Sequence, residues 1–221
     1  MPAAVNPPSP LAPSPEPRPR VAGPARRASI LAVARRLFAH QGYHGTSTSE
    51  IARGAGCAEV ILYRHFRSKQ ALFAAALADG AHVIKGRLEE AIALGGDDPF
   101  GALAPAYARL AEDPAVPEVL RMRSLAVTMV DEPEVRATLE ELSGGFRATL
   151  ADAVRASQAN GHISADVAPE DVVALFAGIG FLAAFDCAVY GPAALPRLAP
   201  AAETLVGLLR PPPTPTAREA P

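Results

Sequence analysis

No stretch of this chain shows the period-2 alternation of a half-buried strand. Apolar residues recur instead at helical spacing, in runs broken by glycine, proline and capping residues. "ARRASILAVARRLFAHQGY" sets Ile30, Leu31, Ala34, Leu37 and Phe38 along one stripe with arginines opposite, and Gly42 is the expected stop. In "TSTSEIARGAG", Ser47 and Glu50 stand in the S-x-x-E relation of a capping box, so a short helix should start there and stop by Gly56. "EVILYRHF" makes a third short helix with Leu62 and Phe66 inward. Ser68 then caps a long helix ending at Gly95-Gly96. The sequence predicts an all-α fold.

Later boundaries are also visible. Asp98-Pro99 reads as an N-cap followed by proline, opening a helix to about Ala111. Pro114, Pro117 and Pro133 separate further segments. A long helix closes at Asn160-Gly161, and "APEDVVALFAGIGFLAAFDCAVYG" and "APAAETLVGLLR" supply two more. With no Trp and 5% aromatic residues, the core must come from Ala, Leu, Val and Ile. The first 24 residues carry nine prolines and the tail "PPPTPTAREAP" is similar, so both should be disordered or PPII-like.

The formal net charge of −2 conceals an asymmetry. Residues 18–74 hold ten Arg or Lys against two acids, a net of +8, whereas residues 75–221 carry −9. A basic segment joined to an acidic body suggests that one part meets a polyanion. Cys57 and Cys187 offer no disulfide framework and no metal-ligand spacing, which fits a reducing cytoplasm. Prolines interrupt any apolar core of a signal peptide, and no apolar run is long enough to suggest a membrane span.

A short helix, a tight glycine-containing turn and a second short helix form a helix-turn-helix unit, whose second helix enters the major groove. With Leu62 and Phe66 packed inward, Glu59, Val60, Tyr63 and Arg64 face outward, where bases and phosphates would lie. The helix has a packing face and a reading face.

These residues identify a family resemblance. "ILAVARRLFAHQGYHGTSTSEIARGAG" followed by "LYRHFRSKQALF" resembles the N-terminal DNA-binding domain of TetR-type repressors, over roughly residues 25–74. The resemblance implies an N-terminal helix-turn-helix domain followed by a larger helical domain that binds an effector and dimerises. The expected divisions are a disordered arm (1–23), the DNA-binding domain (24–84, motif about 47–66), the effector and dimerisation domain (85–210) and a disordered tail (211–221). It further implies a homodimer on double-stranded DNA carrying a palindromic operator. Ser47 and Thr48 look like the start of the second helix, near phosphate. Tyr63, His65 and Lys69 resemble phosphate-binding residues, and Glu59 and Val60 occupy base-contacting positions.

There are departures. Ala58 stands where many members have a capping Ser or Thr, a loss of roughly 1 kcal/mol, and Ile61 replaces a frequent threonine. Glu59 repels phosphates but can accept from a cytosine amino group. Phosphate affinity should therefore lean on Arg26, Arg27, Arg53, Arg64 and Lys69. The helices from about Asp98 to Tyr190 should enclose a mainly apolar pocket for an apolar or amphipathic effector. Its candidate lining residues are Tyr107, Met122, Met129, Phe146 and Phe176, with Arg123 or His82 as polar anchors. Gly178 and Gly180 in "FAGIGFLAAF" suggest close helix–helix approach.

Other readings stand beside this one. His40 and His44 are four apart, but Gly42 between them argues against a metal pair, and neither a metal nor a cofactor is expected. Cys57 reads as a small hydrophobe, with redox sensing as the sharper alternative. No nucleophile elbow or phosphate loop suggests an enzyme. A DNA-binding protein without a ligand, acting architecturally, remains the main rival.

Overall fold

The computed structural model describes residues 23–110 and 112–212. The expected disorder of the Pro-rich arm and of most of the tail lies outside the described residues. Among those described, there are nine α-helices and no strand: α1 (Gly23–Gly45), α2 (Thr48–Gly54), α3 (Glu59–His65), α4 (Lys69–Leu94), α5 (Leu103–Leu110), α6 (Ala115–Val127), α7 (Pro133–Ala159), α8 (Pro169–Tyr190) and α9 (Ala199–Leu208). A 3-10 segment, Pro192–Leu198, joins the last two.

The capping signals do what their chemistry dictates. Ser47 Oγ accepts the Glu50 backbone N–H at 3.2 Å, and the Glu50 carboxylate accepts the Ser47 N–H at 3.0 Å and its hydroxyl at 2.8 Å. Those two donors hold the Glu50 carboxyl below its ordinary range. Ser68 Oγ accepts the Ala71 N–H at 2.9 Å and starts α4. After α2, Gly56 takes a φ of 65°, which lets Cys57 N–H reach back to the Ala52 carbonyl at 2.9 Å.

Several boundaries differ from the sequence reading. Gly42 does break α1, its φ of 75° leaving helical geometry, but a further helical turn follows it to Gly45. Asp98 does not open a helix directly. Its carboxylate accepts from Gly101 N–H and from the buried Ser157 hydroxyl, both at 3.0 Å, so residues 99–102 form turns and α5 begins only at Leu103. Pro117 lies in the first turn of α6, where a missing N–H costs nothing, so it does not separate segments.

Two cores organise the bundle. The first gathers Ile30, Leu31, Phe38, Ile51, Leu62, Phe66, Leu72 and Phe73, with the Phe38 and Phe73 rings edge to face at 5.1 Å. It also takes in Met122 and Ala126 of α6 and Val135 of α7, so the first three helices pack on the same helices that build the rest of the protein. The second centres on Phe100, Leu103, Leu150, Val154, Val172 and Phe176. α4 supplies Leu72, Phe73 and Leu77 to one and Leu88 to the other.

Ionic ties reinforce the junction. Arg35 of α1, only 15% exposed, donates to Glu118 of α6 at 3.1 Å and to Asp79 of α4 at 3.3 Å. Beside it, α4 and α6 approach so closely that a Cβ at Gly80 would lie 2.6 Å from Val119 Cγ2. Arg67, just after α3, donates to Glu134 of α7. α8 is long and apolar enough by length and composition to cross a membrane, with a mean hydropathy of 2.2 over an 18-residue window. That is a longer apolar span than the sequence reading allowed for. Its inner residues, including Val173, Phe176, Ala183 and Cys187, are buried in the second core.

The Glu50 carboxyl sets an acid response. Because its folded pKa is depressed, its contribution to stability is present above the ordinary carboxylate value and is lost as pH falls through the folded one. Urea denaturation of Glu50→Gln and the parent chain should differ near neutral pH, and the gap should close on acidification. A gap independent of pH would detach the capping box from that response.

Candidate nucleic-acid interface

α2 and α3 cross through the Gly56 turn, with Ile51, Ala52 and Leu62 buried against α1. This packing turns the other side of α3 outward. Val60 is 61% and Tyr63 47% exposed, high values for apolar and aromatic side chains, and Glu59 and Arg64 are exposed beside them. Large side chains left in water on a helix this well anchored mark a face kept for a partner.

The face is ordered before any partner arrives. Thr48, opening α2, donates its hydroxyl to the Glu59 carboxylate, opening α3, and the Tyr63 hydroxyl stands 3.2 Å from the same Thr48 oxygen. The link ties the two helices at their first residues. It occupies one Glu59 oxygen and leaves the other able to accept from a base amino group. Ala58 provides no side-chain cap, and the first turn of α3 carries its own acid, Glu59. Sequence reasoning missed the Thr48–Glu59 link, since nothing in their spacing reveals a contact across a turn.

The cations sort into two groups. Arg53 and Arg64 are exposed on α2 and α3. Arg27 lies over the Phe66 ring at 5.3 Å and is exposed to solvent. Lys69 sits over the Tyr43 ring at 4.4 Å in the first turn of α4, and partial burial lowers its pKa. A cation at a helix N-terminus is electrostatically uncomfortable until an anion joins it there, which makes this corner a good phosphate seat. Arg26 differs from expectation. Its guanidinium donates to the Ala55 and Gly56 carbonyls at 2.9 and 3.4 Å, so it braces the turn from within the protein. His65 is half-buried at the end of α3, Ser47 is engaged in its capping box, and Cys57 packs against the first core.

Behind the junction lies a cavity of about 750 Å³, walled by α4, α5, α6, α7 and α8. Of the residues expected to line it, Tyr107, Arg123 and Phe146 do. The other four do not. Met122 is fully buried in the first core, and Met129 packs beside it. Phe176 meets Tyr107 edge to face at 6.0 Å in the second core. His82 is exposed, its ring 2.6 Å from the Ala78 carbonyl. The wall residues not foreseen include Leu77, Ala81, Ile84 and Leu88, whose helical spacing along α4 was the available signal. Gly180 also faces this space, its would-be Cβ 3.9 Å from the Tyr107 hydroxyl, while Gly178 has nothing within 4 Å. Within this chain neither glycine marks a close helix–helix approach.

A helix-turn-helix unit with an exposed second helix, fused to a helical bundle, defines the class of helix-turn-helix regulatory proteins. Residues 30–76 match the family profile of bacterial regulatory proteins, tetR family. Over 52 residues it is 42% identical to the HTH-type transcriptional activator FasR of Mycolicibacterium smegmatis. That stretch is 24% of this chain and 24% of the relative, so the match spans about a quarter of that protein's length. Solved structures share the fold through most of the chain. GusR of Salmonella enterica superposes with a TM-score of 0.69 at 24% identity, covering 86% of this chain and 99% of the other. A TetR transcriptional regulator of Chloroflexus aurantiacus gives 0.66 at 23%, covering 84% and 96%.

Two substitutions separate positioning from reading. Lys69→Ala should weaken binding to all DNA sequences alike and reduce the salt slope by about one unit. Glu59→Ala should relax preference at one position in each half-site, lowering discrimination there by about 1–3 kcal/mol. Equilibrium binding to operator and scrambled duplexes across a salt series measures both. A Lys69→Ala loss confined to the operator, or a Glu59→Ala chain with unchanged base preference, would overturn these assignments.

Proposed function

We propose that the protein is a dimeric transcriptional repressor that holds a palindromic operator and is released by a small molecule bound in the cavity. The observation that carries this reading is the course of α4. Its first residue, Lys69, belongs to the candidate DNA face, and Leu77, Ala81, Ile84 and Leu88 further along belong to the cavity wall. A single rigid element thus borders both sites, as a coupling free energy between them requires. An architectural role without a ligand leaves the cavity unexplained.

The dimer reading rests on the outer face of α8. Leu175, Leu182, Phe185 and Val189 are each about half exposed, and with Gly178 they recur at alternating three- and four-residue spacing. Such a stripe is self-complementary about a two-fold axis, and the small Gly178 permits two backbones to approach. Two recognition helices must then lie about 34–36 Å apart to meet successive major grooves.

Activation is a second reading, favoured by the identity of the N-terminal segment to a protein named as an activator. Sequencing DNA retained from a random library, followed by a reporter carrying the selected site, tests both readings. A single palindrome whose occupancy lowers expression supports the proposal. Raised expression selects the activator reading, and broad protection without a palindrome selects an architectural one.

Phe185→Glu should give a chain that sediments as a monomer, remains folded, and loses most affinity for the full palindrome while retaining weak half-site binding. A dimeric Phe185→Glu chain would place the interface elsewhere.

A further inference from the structure

The cavity has an unusual polar element. Its wall is largely aliphatic and aromatic, yet Arg123 of α6 stands in it half-buried, and among the described residues its guanidinium forms no ion pair. Its neighbours are aromatic: Tyr107 is close enough to feel its charge, and the Phe181 ring lies 4.7 Å from Cζ. That contact uses the flat face of the guanidinium and leaves the N–H groups along its edge for another partner.

We infer that the cavity takes an apolar molecule carrying one carboxylate, seated with that carboxylate on Arg123 and its apolar body along α4 and α7. This deepens the proposed function by naming the chemical class of the effector, and it rests on the cavity being the regulatory site. A cation withdrawn from water without a counter-ion is costly, and an incoming carboxylate removes that cost through paired, charge-assisted hydrogen bonds.

The rest of the wall agrees. Lys85, Arg136 and Arg147 also border the space, against a single acid, Glu140, so the local field favours an anion. Lys85 is engaged with Glu89 at 3.3 Å, Arg136 donates to the Val130 carbonyl at 2.8 Å, and Arg147 is exposed to solvent, whereas Arg123 is half-buried with its charge unpaired by any acid among the described residues. Tyr107 supplies a second donor. Burial pushes its pKa up to about 12, so its hydroxyl stays protonated at neutral pH. Apart from Ser143 the remaining surface is aliphatic or aromatic, too poor in donors for a sugar or a nucleotide and suited to a chain or ring body.

Calorimetric titration of the full chain, free of DNA, provides the test. Two matched pairs serve as probes: dodecanoate with methyl dodecanoate, and 1-naphthaleneacetate with its methyl ester, all below their aggregation concentrations. At least one acid should bind, about ten-fold or more tighter than its ester. Arg123→Gln should remove that preference while leaving the ester's affinity unchanged, and Arg123→Lys should restore part of it. Equal affinity for acid and ester, or no binding of either acid, overturns the assignment. So does an Arg123→Gln chain that keeps its preference. If Arg123→Gln does not fold, the acid-to-ester ratio of the parent chain decides alone. Operator binding measured on the same samples keeps the two readings apart. An intact operator complex without acid preference sinks only the ligand class, and acid binding without operator selection sinks only the regulatory reading.

Discussion

One helix has to satisfy two cores at once, and the rest of the structure follows from that. Leu72, Phe73 and Leu77 of α4 are locked against Phe38 and its neighbours, while Leu88 reaches the cluster around Phe100 and Phe176. Each cluster alone is small. α4 joins them into one cooperative body, because pulling it from either side exposes apolar surface at roughly 25 cal/mol per Å². Met122, Ala126 and Val135 close the join from the other direction by entering the first cluster from α6 and α7.

The electrostatics follow the same line. The basic segment foreseen from the charge count is divided by the fold between a working surface and internal struts. Arg35 spends its charge on Glu118 and Asp79, Arg67 on Glu134, and Arg26 on two backbone carbonyls. Arg27, Arg53, Arg64 and Lys69 are left near the outer face. A formal charge of +8 therefore overstates what the surface offers a polyanion, and the difference is the cost of joining a basic unit to an acidic bundle.

What the sequence made legible was local. The capping box at Ser47 and Glu50, the cap at Ser68, the glycine turns and the inward placing of Leu62 and Phe66 all depend on neighbours within a turn or two, so spacing alone reveals them. The misreadings share an opposite cause. Asp98 looks like a helix cap because its real partner, the Ser157 hydroxyl, is 59 residues away. Arg26 looks like a phosphate ligand because the carbonyls it braces lie across the motif. Met122 and Phe176 are apolar residues on the right helices, but helical rotation sends them into cores. Arg123 was legible as a candidate polar anchor, and it does line the cavity.

The missing side chain at Gly80 has a mechanical consequence. Val119 Cγ2 fills the space a Cβ would need, so α4 and α6 meet there like a tooth in a notch and cannot slide along each other without collision. Rotation about that point is the motion left to them. Lys69 lies eleven residues before the notch and Leu88 eight after it, arms of about 17 and 12 Å at 1.5 Å per residue. A tilt that displaces the cavity end of α4 by a given amount swings its other end by about 1.4 times as much, and it swings the end that carries Lys69 and abuts α3.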